Sequence, residues 1–238
     1  MTSREEVRVS PRHAALIGGV AYLVIFVLAI FANFLAIEGL VEPGDAAATA
    51  SNIMDSPNLL RGALASFIIV FVLDVIIAWA LYIVFRGVNA DVALLSGWMR
   101  MVGAGLLGAS LIFLFLVLGM VGDATYQGAF DQAQVDAQTM LFLDGFDFLW
   151  LTGLVCFGVH LIAVGYLVVR SAYVNRVLGY LLYLAGAAYI LDTLANALLA
   201  NYDDYETLFL IVVAVSSIVA ELWLALWLVF RGGKSEAV

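Results

Sequence analysis

The chain has 238 residues, 65% of them hydrophobic and 12% charged, with a net charge of −9. Soluble domains carry about half apolar and about a quarter charged residues, so a soluble fold is excluded and lipid must be part of the solvent. The acidic balance also argues against a nucleic-acid partner, which basic surfaces bind.

A membrane-crossing helix needs about 20 mostly apolar residues. Six stretches meet that length: 14–36, 63–85, 93–119, 143–169, 177–199 and 208–230. None alternates with a period of two, which argues against a β-barrel. The expectation is an all-α integral membrane protein, a six-transmembrane-helix bundle forming a single domain over 1–238.

In chain order, the first stretch follows Arg4, Arg8 and Arg12, and its apolar run is longer than a signal-peptide core. It is expected to be a retained helix. Beyond it, Gly44-Asp45 opens a turn followed by a helix that Asp45 would cap. The third stretch holds Gly103-Ala-Gly105-Leu-Leu-Gly108, which matches the dinucleotide pattern G-x-G-x-x-G. That fingerprint needs a preceding strand. Inside a span, Ala104-x-x-x-Gly108 and Gly105-x-x-x-Ala109 read instead as small-residue faces for helix packing or a homo-oligomer. Residues 123–140, with Tyr126, Phe130 and Met140 as apolar contacts, read as a short amphipathic element over the outer face. The second, fourth and sixth stretches end in Tyr82…Arg86, Tyr166…Arg170 and Trp227…Arg231. A three-fold repeat of helical hairpins would produce this echo, but the spacings are unequal, which favours an interfacial aromatic belt followed by a cation on each helix.

The charges fix an orientation. One side carries Arg4, Arg8, Arg12, Arg86, Arg170, Arg176, Arg231 and Lys234, against Glu5, Glu6, Asp91 and Glu236. The other carries Arg61 alone against Glu38, Glu42, Asp45, Asp55, Asp123, Asp131, Asp136, Asp203, Asp204 and Glu206. The positive-inside rule places the first side, with both termini, in the cytoplasm of a cell-membrane protein.

Ionisable groups inside spans are costly and mark sites or structural pairs. Here they are Asp74, Arg100, Asp144, Asp147, His160, Asp192 and Glu221. At ~1.5 Å per residue, Arg100 lies ~10 Å from the cytoplasmic end, His160 and Glu221 ~13 Å, Asp74 ~16 Å and Asp192 ~22 Å. An inner layer could join Arg100 to Asp74 and Glu221 beside His160. An outer one could join Asp144, Asp147, Asp192 and Asn196 with Arg61. Pairing across helices holds a bundle in register. The same groups could line a cavity for a lipid head group, a small polar ligand or a proton path, with His160 titrating near neutral pH.

Familiar chemistry is missing. There is no H-E-x-x-H and no G-x-S-x-G, and two histidines are few for an intramembrane zinc hydrolase. Cys156 is the one cysteine, so no internal disulfide or cysteine metal cluster is possible. Lys234 is the one lysine, which leaves no intramembrane amine for a Schiff base. No cofactor, metal or catalytic residue is expected.

Several blocks in order carry a resemblance: Gly44-Asp45-x-x-x-Thr49-x-x-Asn52, Arg61, Leu81-Tyr82-x-x-x-Arg86-x-Val88-Asn89, Arg100, Asp144, Phe157-Gly158-x-His160-Leu161, Gly165-Tyr166-Leu167, Arg170-Ser171-x-Tyr173, Arg176-x-Leu178-Gly179, Ala185-Gly186, Tyr189 and Asp192. Together they resemble the prokaryotic membrane proteins grouped as domain of unknown function 4386. The resemblance implies six helices and no particular activity. Asn175 stands where that family often carries proline. Asp74 and Glu221 match no block and rank lower as site residues. The expected function is therefore a non-enzymatic, multi-pass protein that binds membrane lipids or a small amphiphile, or supports a membrane partner, around Asp144, Asp192 and Arg61. The alternatives are a small proton-coupled transporter using His160, Arg100 and the acids, or an intramembrane enzyme of unfamiliar type.

Overall fold

The structure, a computed structural model, describes residues 9–234 except the side chain of Gln127. Arg4, Glu5, Glu6, Arg8 and Glu236, which entered the charge count, lie outside the described residues. The described residues are helical, with no strand among them, and six helices are long and apolar enough to cross a membrane. These spans, numbered in chain order, are Pro11–Leu40, Pro57–Phe85, Ala90–Gly122, Gln132–Arg170, Arg176–Leu198 and Glu206–Phe230. Helices suit lipid because each satisfies its own backbone hydrogen bonds. The first span contains a π-helical stretch, Phe31–Ile37.

The expected boundaries hold best for the fifth and sixth spans. The fourth is longer than expected, 39 residues from Gln132. The amphipathic element expected over 123–140 is thus mostly the start of that span. Only Ala124–Ala129 forms a separate helix, capped by Asp123, whose carboxylate accepts from the Thr125 N–H. This bond holds the Asp123 carboxyl below its usual range. Of the apolar contacts expected there, Met140 packs against the core, while Tyr126 and Phe130 are exposed.

The chain forms two compact units. The first comprises Met1–Leu23, Ile76–Met99 and Gly158–Val238, and the second Val24–Val75 and Arg100–Phe157.

In the first unit, small residues bring backbones together. A Cβ on Gly158 would lie 2.6 Å from the Gly186 carbonyl oxygen, and one on Gly165 would lie 2.8 Å from that of Gly179. Glycines two turns apart on the fourth span thus meet glycines two turns apart on the fifth. A Cβ on Gly19 would likewise lie 2.9 Å from the Val229 backbone nitrogen. Trp227 is buried and stacks on Phe85 and Tyr173, with centroids 6.0 and 6.2 Å away. That corrects the belt reading at this position: Trp227 fills the core, because its large apolar surface finds aromatic partners there.

Arg12 has a role beyond orientation. Its guanidinium donates to the carbonyls of Leu228 and Gly232 at 3.1 Å and of Val229 at 2.7 Å. It therefore closes the C-terminus of the sixth span, where carbonyls lack helical donors and the helix dipole favours a cation. Replacing Arg12 by Ala is expected to cost about 1–2 kcal/mol, read as a lower midpoint in denaturant titration of the protein in detergent.

The second unit packs Phe67 among Phe146 and Trp150, with centroids 5.6 and 5.3 Å away. Leu60, Leu64, Leu114 and Val117 surround this aromatic core. The Gly44–Asn52 block proves to be its cover. Gly44 takes the left-handed conformation (φ +78°), and Asp45 accepts from the Ala48 N–H as expected. The Thr49 hydroxyl bonds both the N–H and the carbonyl of Glu42. Asn52 donates to the Leu40 carbonyl. These bonds seat Ala50 and Ile53 in the core. In the third span, Gly103 approaches the Gly153 carbonyl, whereas Gly105 has open space beside it.

Candidate functional site

Both units contain buried ionisable groups. In the second unit Arg100 is 1% exposed, and its Nη2 donates to Asp74 Oδ1 at 2.5 Å. The Phe157 ring lies 4.9 Å from the guanidinium carbon. A guanidinium keeps its charge even when buried, so a carboxylate and an aromatic face are the partners that make this depth tolerable. The expected Arg100–Asp74 pairing is present.

In the first unit His160 is fully buried. Its Nδ1 lies 2.9 Å from both the hydroxyl and the carbonyl oxygen of Ser96. A carbonyl can only accept, so Nδ1 carries a proton. Glu221, also buried, accepts a long 3.5 Å contact from the Tyr189 hydroxyl.

The outer groups divide between exposed and held. Asp144, Asp147 and Asn196 are exposed. Arg61 is exposed too, and bonds Asn58 one turn before it at 3.0 Å. Among the described contacts of the second unit, none joins Arg61 to Asp144 or Asp147, so the expected outer layer is not assembled there. The reason is local: Asn58 shares the Arg61 helix face at i, i+3 spacing.

Asp192, by contrast, is 8% exposed and accepts a 2.7 Å hydrogen bond from the Tyr202 hydroxyl. Tyr202 sits in the short helical turn Tyr202–Asp204 between the fifth and sixth spans. Its ring stacks on Phe209, with centroids 5.7 Å apart and planes 21° apart. Burial, and then donation to Asp192, push the Tyr202 hydroxyl well above its ordinary pKa, so it remains a donor at neutral pH. Beside this pair runs an open apolar groove lined by Leu191, Leu194, Ala195, Leu198, Leu199 and Phe209. Phe209 connects the two, lining the groove and stacking on the Tyr202 ring.

Sequence reasoning picked out Asp192 and Asn196 but not Tyr202, Ser96 or the leucines of the groove. Tyr202 had a weak signal, as an aromatic among acids in a short connection. The groove leucines had none, because leucine lines every face of a span.

The comparisons with known proteins identify a family and assign no activity. An uncharacterized protein of Archaeoglobus fulgidus is 25% identical over 176 residues, covering 74% of this chain and 87% of the relative. No solved structure matches the chain. The family model described as Domain of unknown function (DUF4386) matches residues 17–232. A six-helix chain matched over nearly its whole length by that model belongs to the DUF4386 family.

Proposed function

We propose that this protein is a non-enzymatic membrane component that binds a lipid or small amphiphile on the first unit, tail in the Leu191–Phe209 groove and head at Asp192 and Tyr202. The observation that carries this reading is the groove beside that hydrogen-bonded pair. Asp144 and Arg61, named with Asp192 from the sequence, belong to the second unit and have no part in this reading. A carrier would call for helices broken near mid-membrane, whereas the second to sixth spans are continuous α-helices. The Leu194→Trp variant fills the groove with an indole. Native mass spectrometry of protein extracted in mild detergent should then show lipid adducts depleted several-fold relative to wild type. Equal adducts on both proteins would defeat the reading.

The same reading places the protein in the cell membrane with both termini cytoplasmic. The lopsided distribution of arginine supports it. A C-terminal fluorescent fusion is expected to light up, and a C-terminal phosphatase fusion to stay inactive. The opposite pattern would reverse the orientation.

A further inference from the structure

We infer that the arginine-bearing end of the first unit is a separate lipid contact, a site for an anionic phospholipid of the phosphatidylglycerol type whose phosphate sits between Arg170 and Arg176. It lies at the other end of the unit from the groove and does not rest on that reading. Three observations carry it.

The first is how the arginines are gathered. Buried Trp227 stacks on both Phe85 and Tyr173, and the Tyr173 hydroxyl donates to the Val84 carbonyl at 3.3 Å. Arg86 directly follows Phe85, and Tyr173 lies in the short connection between Arg170 and Arg176. Arg231 is one turn beyond Trp227, whose carbonyl accepts its N–H at 2.8 Å. One aromatic stack therefore ties together the ends of the second, fourth, fifth and sixth spans, each with its arginine.

The second is that these four guanidiniums are open. Arg12, Arg61 and Arg100 are bonded within the protein. Among the described residues, Arg86, Arg170, Arg176 and Arg231 have no such side-chain partner. Arg86 is half-buried and the other three are exposed. Asp91 is the one acid at that end among the described residues, and Lys234 adds a further cation. Orientation in the membrane calls for cations at one end, but a bonded guanidinium such as that of Arg12 serves it equally well. It gives no reason for four to be left open.

The third is a pair of tyrosines on the same seam. Tyr166, 36% exposed, lies one turn before Arg170, and Tyr180, 59% exposed, one turn after Arg176. Spacing of i, i+4 sets each beside its arginine. Tyr180 lies 6.5 Å from Tyr183 between ring centroids. A Cβ on Gly165 would lie 3.2 Å from the Tyr183 ring, so the rings border the joint of the fourth and fifth spans. Exposed tyrosines favour the membrane interface, the level at which lipid head groups lie.

A guanidinium presents a planar fork of donors that matches a phosphate, and two such forks flank this connection. A phosphatidylethanolamine head brings its phosphate with an ammonium, which the same cations repel. Phosphatidylglycerol brings the negative charge alone. Charge complementarity therefore selects the anionic lipid.

The test titrates delipidated full-length protein in neutral detergent with phosphatidylglycerol or phosphatidylethanolamine of matched acyl chains, and counts adducts by native mass spectrometry. Wild type should bind phosphatidylglycerol roughly three- to ten-fold tighter, and higher salt should narrow the gap. The double variant Arg170→Gln, Arg176→Gln should bring the ratio to about one. The double variant Arg86→Gln, Arg231→Gln should lower it less, and it keeps the test valid if the first folds poorly. Arg61→Gln removes a cation from the opposite end of the second span and should leave the ratio unchanged. So should Leu194→Trp, which separates the fate of this site from that of the groove. Equal binding of the two lipids by wild type overturns the inference. So does an unchanged ratio in whichever arginine double variant folds, or a ratio that falls as far in Arg61→Gln or Leu194→Trp.

Discussion

Arg100→Met is expected to lower the stability of the protein by about 3–5 kcal/mol, the largest effect of any single ionisable residue. The guanidinium is 1% exposed and paired with Asp74. Removing it leaves a buried carboxyl that must either stay charged without its partner or take up a proton. Denaturant titration in detergent, followed by circular dichroism, measures the loss. The double variant Arg100→Met, Asp74→Leu removes both charges and should be less destabilised than the sum of the single changes, by about 0.5–3 kcal/mol of coupling. Strict additivity would mean that the pair does not act as a unit. The outcome also bears on function. A pair that serves packing loses stability when cut. A group held in reserve for a ligand loses binding first.

Gly186→Leu should also be strongly damaging, and it tests packing without charge. A Cβ at Gly186 would lie 2.5 Å from the Gly158 carbonyl oxygen and 2.8 Å from an Ile162 side-chain carbon. Backbone cannot move aside as a flexible side chain can. Overpacking in well-filled cores costs about 1–3 kcal/mol, and four further heavy atoms at a backbone contact should reach or exceed the top of that range. Gly105→Leu is the matched control, since nothing lies within 4 Å of its Cβ position. Size-exclusion profile and melting temperature should be lost or lowered for Gly186→Leu and nearly unchanged for Gly105→Leu. Equal damage from both would refute the close fourth–fifth span contact.

The contrast between these glycines shows what was legible in advance. Composition and run length sufficed for six helices, because lipid leaves few other options for 20 apolar residues. The depth count brought Asp74 and Arg100 into one layer, and they do pair. The sequence pattern flagged Gly103, Gly105 and Gly108 alike, yet Gly105 has nothing within 4 Å while Gly103 meets backbone. Spacing shows that a face is small, but only the partner helix shows which way it points. Asn175 was a departure from the family's proline. It caps the fifth span through its side chain at a φ of −64°, an angle that proline also takes, so proline would fit the backbone there but lose the side-chain cap. Within the second unit, Arg61 does not meet Asp144 or Asp147 among the described contacts for a similar reason. Helical depth does not encode direction, and Arg61, Asp144 and Asp147 proved exposed while Asp192 found its hydroxyl partner in a turn, where periodicity gives no guidance.

The most direct measurement is a high-resolution structure of the protein purified with its native lipids. The account predicts elongated density along Leu194, Leu198 and Phe209, ending in a head group beside Asp192 and Tyr202, with the Arg100–Asp74 pair closed. An empty groove, with ligand density inserted instead between Arg100 and Asp74, would contradict it.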